Sequence, residues 1–400
     1  MTKGTRSVCW IMLFGLSWIG DPLCINSNRC FGQQISSWKK TTVYEGARCM
    51  TAIAGDFRQA GQTDFFVNAG SVSSFYPGPS LAQVIIDDSP EHNFIHCEAF
   101  DIDADGDQDI VGARYMPGLI VWFEHPQDAQ HDRWLVHTID DQVNGIHGLL
   151  RADVNRDGKL DLIANSAQPI SKFPYSLVWY DVPDDPKKPW NRHVVADGDA
   201  PGLTHYMGFG DVNGDGFGDI ATGAKGGPQA EEGTGDWFAW WQAPADSTGK
   251  WQKHLIATEQ PGATNIHPVD VNRDGRMDFI ASRGHGVGVI WFEATGNTQR
   301  PWVEHSIDAT IKEPHSLTIA DLDNDGDMDA ATCAYGSKLV AWYENDGFGR
   351  FQTRIIDQGQ EAYDIRAIDC DRDGDLDLVV AGRESNNALW YSNPLINSVE

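Results

Sequence analysis

The sequence is poor in positive charge: 30 Lys and Arg stand against 58 Asp and Glu, a net charge of −28 over 400 residues. Such a surface repels phosphate backbones, which excludes nucleic acid as a natural partner and favours cationic ones. No apolar run is long enough to cross a bilayer, so no transmembrane segment is expected. Cys-x-x-Cys pairs, Cys/His zinc spacings and a Gly-x-Ser-x-Gly nucleophile motif are all missing. Their absence removes small zinc folds and the common serine hydrolases.

What is abundant is glycine, with 41 residues, and tryptophan, with 15. That pairing suits many short strands joined by tight turns and points to an all-β chain. At the N-terminus, Lys3 and Arg6 precede an apolar stretch over residues 8–19, which ends at the breaker Gly20-Asp21-Pro22. This reads as a signal peptide over residues 1–32, cut after Gly32, and implies a secreted or periplasmic protein. Beyond it lie Cys49, Cys97, Cys333 and Cys370. An oxidising compartment permits one or two disulfides, with Cys49 and Cys97 the favoured pair because they open equivalent strands; four buried thiols are the equal alternative.

One phrase recurs: an acid at positions 1, 5 and 9, Asp or Asn at 3, and Gly at 6. The six full copies are Asp101, Asp103, Asp105, Asp109; Asp153, Asn155, Asp157, Asp161; Asp211, Asn213, Asp215, Asp219; Asp270, Asn272, Asp274, Asp278; Asp321, Asp323, Asp325, Asp329; and Asp369, Asp371, Asp373, Asp377. A worn seventh copy begins at Asp56, keeping Gly61 and Asp64 but carrying Arg58 and Ala60 in place of the middle acids. The copies start 45 to 59 residues apart, the size of a four-stranded propeller blade with variable loops. Each loop lies between apolar runs and is followed by a Trp-aromatic strand such as Trp122-Phe123 or Trp342-Tyr343. Four repeats then carry Trp-x-x-His, at His137, His193, His254 and His305. The tryptophans and histidines recur with the strands and read as blade packing.

The last repeat stops after its third strand near Ser392, while residues 38–44 look like an orphan fourth strand. Joining them closes a ring and removes exposed sheet edges. Residues 33–400 are therefore expected to form one seven-bladed β-propeller of four antiparallel strands per blade, closed by one N-terminal and three C-terminal strands, and to be monomeric.

The loop spacing wraps hard oxygen ligands around one cation, with Gly at the sharp turn, and an oxygen cage of this flexibility suits calcium. About six calcium sites are expected; the alternative is an Asx-rich hairpin turn without metal. In the first blade, Arg58 stands where it could supply the positive charge. The quoted phrases resemble FG-GAP/VCBS repeats, the calcium-loop propellers of integrin α-subunit heads and many secreted bacterial proteins, over residues 36–392. That resemblance implies fold and calcium rather than activity. The seven-blade arrangement also resembles the propeller of aldos-2-ulose dehydratase and of some polysaccharide lyases, which implies a divalent metal in the central channel assisting sugar elimination.

On the face opposite the loops, polar residues gather at the start of the first strand of each blade. His147, His205, His315 and Tyr363 stand six positions before the loop acid, and His96 and Asn265 stand five before. Arg114, Lys225, Arg283, His285, Arg383 and Glu384 lie at the end of the second strand. Imidazoles from several blades suit zinc or manganese, and nearby arginines suit a carboxylate or an enediolate. His96, His147, His205, His315, Tyr363, Arg114, Arg283 and His285 are thus the candidate catalytic set, for a metal-dependent carbon–oxygen lyase acting on a sugar. The histidines could instead bond a neighbouring blade's backbone, the arginines could lie at the plain surface, and the chain could be a non-catalytic propeller that binds a glycan or a protein.

Overall fold

The computed structural model describes residues 38–296 and 302–395; the expected leader at 1–32 lies outside them. All regular structure among the described residues is β: 28 strands in seven four-stranded antiparallel sheets. Six blades run in simple order through residues 49–87, 96–140, 149–196, 204–258, 265–312 and 314–358. In the seventh, strand Lys39–Glu45 pairs with Asn387–Ser392, outside Asp377–Gly382 and Asp364–Ile368. The closure expected from the two ends of the sequence is the one observed. No helix among the described residues is long and apolar enough to cross a membrane.

The second and third strands of each blade are nearly wholly buried, as in Asp161–Ser166 and Ser176–Asp181, because neighbouring blades cover both their faces. The apolar clusters accordingly lie between blades. Ile163, Trp179 and Val195 of the third blade pack with Ile220, Trp241 and Trp251 of the fourth. The fourth strand is the solvent edge and alternates exposed and covered residues, as Leu135–Asp140 does.

On that edge the repeated histidine lies across from a tryptophan of the third strand. His137 stacks on Trp122, His193 on Trp179, His254 on Trp240 and His305 on Trp291, with centroids 4.2 to 4.5 Å apart. In the fourth blade, where two tryptophans adjoin, strand register gives this position to Trp240 and sets Trp241 against Lys253. The four cysteines are buried free thiols, so of the two alternatives the thiols hold. Cys49 and Cys97 belong to different interblade cores, and burial pushes both thiols above their ordinary pKa.

Candidate functional site

The innermost strands are aimed by local irregularities. A β-bulge re-points side chains by setting two residues against one, and register breaks between Thr204 and Met207 and between Pro314 and Ser316. These breaks release His205 and His315 from the regular alternation. His147 precedes strand Leu149–Ala152, and its backbone N–H donates to Asn165 Oδ1 at 2.7 Å. Asn165 is fully buried, and its amide donates in turn to the Thr204 and His205 carbonyls at 2.8 and 2.9 Å. One side chain thereby ties the third blade to the fourth. Gly148 permits the approach, since a Cβ there would lie 2.8 Å from the His205 carbonyl oxygen.

The result is a cluster of imidazoles from three blades. One ring nitrogen each of His147, His205 and His315 lie within 4.8 Å of one another, and all three residues are buried. His147 stacks on His205 with centroids 3.8 Å apart, and His315 stacks on Tyr363 at 3.5 Å. The Tyr363 hydroxyl lies 2.9 Å from His147 Nε2, and His285 Nε2 lies 2.9 Å from His205 Nε2.

Two backbone contacts fix the tautomers. Nδ1 of His205 donates to the Leu203 carbonyl at 3.0 Å and Nδ1 of His315 to the Tyr363 carbonyl at 2.8 Å, leaving both Nε2 lone pairs facing the cluster. His315 Nε2 and His147 Nδ1 are buried without a partner. Burial first, then mutual charge and that of Lys225 and Arg383, holds His147, His205 and His315 well below the usual histidine pKa. His285 falls to about 4 for the same reasons. Burial raises the Tyr363 phenol, which stays protonated.

His147, His205, His285 and Tyr363 line a cup of about 640 Å³, with Tyr115, Lys225, Gln229, Asp236, Gly262 and Arg383; His315 packs behind them against Tyr363. Other candidates lie elsewhere. Arg114 turns away to the carbonyls of Pro117 and Glu91. Arg283 is held by Gln260 and by Glu304 at 2.8 Å. His96 lies in a deeper layer, where Nδ1 accepts from the Leu149 N–H and Nε2 meets Arg366 at 2.5 Å. Arg366 also binds Glu98 at 2.9 Å and Asp364 at 3.3 Å, and with Tyr206 this group lies beneath the histidine layer. Tyr206 shares the repeat position of His96, five before the loop acid, a signal that could have found it; Arg366 and Asn165 carried none.

At the opposite face, the loop acids converge. Carboxylate oxygens of Asp101, Asp103 and Asp109 lie within 4.8 Å, as do those of Asp321, Asp323 and Asp325 and of Asp369, Asp371 and Asp373. The glycine at position 6 takes positive φ in all six full loops, for example +105° at Gly106, and its N–H donates to the first aspartate. The ninth carboxylate ties the loop to the end of the third strand: Asp109 accepts from the Ile102 and His125 N–H groups at 3.0 and 2.8 Å. Burial lifts its pKa to about 8. In the worn loop Arg58 grips the equivalent Asp64 through Nε and Nη2, at 2.6 to 3.1 Å, and a guanidinium stands among the retained acids.

Residues 211–281 and 270–332 match the family described as FG-GAP-like repeat. Residues 211–332 thus carry FG-GAP-like repeats. No curated protein matches it, and the likeness to aldos-2-ulose dehydratase finds no support there. Solved propellers share the fold at low identity. The chain is similar to an Agrocybe aegerita lectin described for recognition of non-reducing terminal N-acetylglucosamine, with 15% identity, TM-score 0.54, and 88% and 87% of the two chains covered. It is similar to a streptogramin B lyase, with 11% identity, TM-score 0.57 and 88% and 97% coverage. It is also similar to YCF48 bound to D1 peptide, with 12% identity, TM-score 0.53 and 90% and 96% coverage.

Proposed function

We propose that this chain is a secreted, monomeric, calcium-loaded propeller that binds carbohydrate in the histidine cup and acts on it as a metal-dependent carbon–oxygen lyase. One observation carries the reading: three buried imidazoles from three separate blades converge within 4.8 Å beside a tyrosine hydroxyl. Buried polar atoms are ordinarily paired, and here two imidazole nitrogens of the cluster are not. The donor set fits a transition metal, zinc before manganese because all three ligands are imidazoles. The Nδ1-to-carbonyl bonds of His205 and His315 are the orienting contacts such ligands use.

His147, His205 and His315 would hold the ion, which when bound supplies polarisation of a substrate carbonyl or carboxylate oxygen. His285, neutral near pH 7, takes the proton beside that carbonyl. The C–H electron pair becomes the new double bond, the bond to the oxygen on the adjacent carbon breaks, and Tyr363 gives its proton to the departing oxygen. At the far face, the six acid-rich loops bind calcium. The worn loop supports this, because where the acids are lost an arginine cation takes their counter-charge.

A second reading, a glycan-binding propeller without chemistry, draws on the lectin of the same fold. Incubating the protein with a panel of acidic and neutral oligosaccharides and following the ultraviolet absorbance of an unsaturated product separates the two. The lyase reading requires product from the wild type and none from Tyr363→Phe with binding retained. Binding with no product from either favours the glycan-binding reading.

A further inference from the structure

Two cations line the cup, and neither is held by a short ion pair. Lys225 follows strand Asp219–Ala224 in the fourth blade, and Arg383 follows Asp377–Gly382 in the seventh; both line the cup. The Lys225 ammonium is half-buried and its hydrogen-bond partner is the neutral Gln229 Oε1, at 3.1 Å. Arg383 lies over the faces of Tyr363 and Tyr335, 5.0 and 5.7 Å from their centroids. Its carboxylate neighbour Glu384, at 3.4 Å, is held more tightly by Arg48, at 2.5 Å.

Asp236 is the acid in the lining, so with Lys225 and Arg383 against it the cup is net positive in a chain of net charge −28. Arg283 is already neutralised by Glu304. A positive cup in a strongly acidic protein draws anions out of a field that otherwise repels them. A planar guanidinium, pinned on aromatic rings, matches a carboxylate.

We propose that the cup selects a carboxylated sugar, a uronate, and that Lys225 and Arg383 clamp its carboxylate from the fourth and seventh blades. The proposal rests on the reading of the cup as a carbohydrate site and names its substrate class. Such a clamp would bring the acidified C–H, the one beside the carboxylate, into the cup that His285 also lines.

Calorimetric titration of the full chain, saturated with calcium, tests this. The probes are glucuronate- and galacturonate-containing oligosaccharides, their methyl esters, and a sulfated neutral oligosaccharide. The wild type is expected to bind at least one acidic oligomer roughly tenfold or more tighter than its ester, the scale of a charge-assisted hydrogen bond. Lys225→Met and Arg383→Gln should each remove most of that preference, leaving ester affinity, melting temperature and metal content as they were. Equal binding of acid and ester, tighter binding of the sulfated sugar, no binding of any acid, or equal loss of acid and ester in the variants overturns the clamp. The ester comparison needs no variant to fold. If the preference survives but no transition metal is bound, the clamp stands and the lyase reading falls; metal without preference does the reverse.

Discussion

His205 Nε2 lies 2.9 Å from His285 Nε2. With its Nδ1 proton given to Leu203, neutral His205 has only a lone pair to offer there, so without a metal the shared proton belongs to His285, and an ion held by His205 would displace that contact. The contact therefore joins two neutral rings, and protonating either costs burial energy.

Acid should for that reason destabilise the protein. The folded pKa of His285 and that of His267, in strand Asn265–Val269 of the fifth blade, are lowered by burial from 6.5 to about 4, and His147, His205 and His315 move the same way. The unfolded chain thus takes up protons first as pH falls below about 6.5, and stability drops until the folded pKa is reached. At pH 5.5 each such histidine should cost on the order of 1 kcal/mol. Urea unfolding at pH 7 and pH 5.5, with calcium held saturating, reads this as a lower midpoint. An unchanged midpoint would count against neutral buried imidazoles.

Calcium removal should lower the melting temperature by tens of degrees, because six loops each contribute roughly 1 kcal/mol or more when filled. The first blade should not take part. Arg58 is mostly buried and Asp64 fully so, and breaking such a pair costs about 3 to 5 kcal/mol. Arg58→Met should therefore lower stability while leaving the number of bound calcium ions as it was. A change in that number, measured by equilibrium dialysis, would place an ion in the worn loop.

Ring closure should depend on strand Lys39–Glu45 rather than on surface charge. The strand pairs along six positions with Asn387–Ser392, and Trp38 meets Trp342 edge-on at 6.2 Å. Arg372 also bridges the seventh loop to Asp56 of the first at 2.8 Å, but such exposed pairs yield about 0 to 1 kcal/mol. Deleting residues 33–45 should cause aggregation through an open sheet edge, whereas Arg372→Ala should shift melting by a few degrees at most. A deletion variant that stays monomeric with the wild-type melting curve would refute the closure.

The ring and its blades were legible because one phrase, read from Asp101 to Asp377, repeats with the strands around it. The histidine layer was legible for the same reason, since His147, His205 and His315 share one repeat position. Arg114 and Arg283 could not be placed that way: a long side chain at a strand end can fold to a carbonyl, a carboxylate or the axis, and repeat position does not choose. His96 sits one residue out of register and so falls a layer deeper. Asn165 was not legible because its role arises between blades, and Tyr206, at the repeat position of His96, falls in the bulge between Thr204 and Met207 that no alternation pattern marks.

The histidine cup stands or falls on its metal content. The measurement is elemental analysis of the calcium-saturated protein beside a His147→Ala, His205→Ala double variant of matching melting curve. The account predicts one transition-metal ion per wild-type chain, zinc first, and none in the variant. Wild-type protein that carries calcium alone, even after incubation with zinc or manganese, would contradict it and leave the three imidazoles as packing.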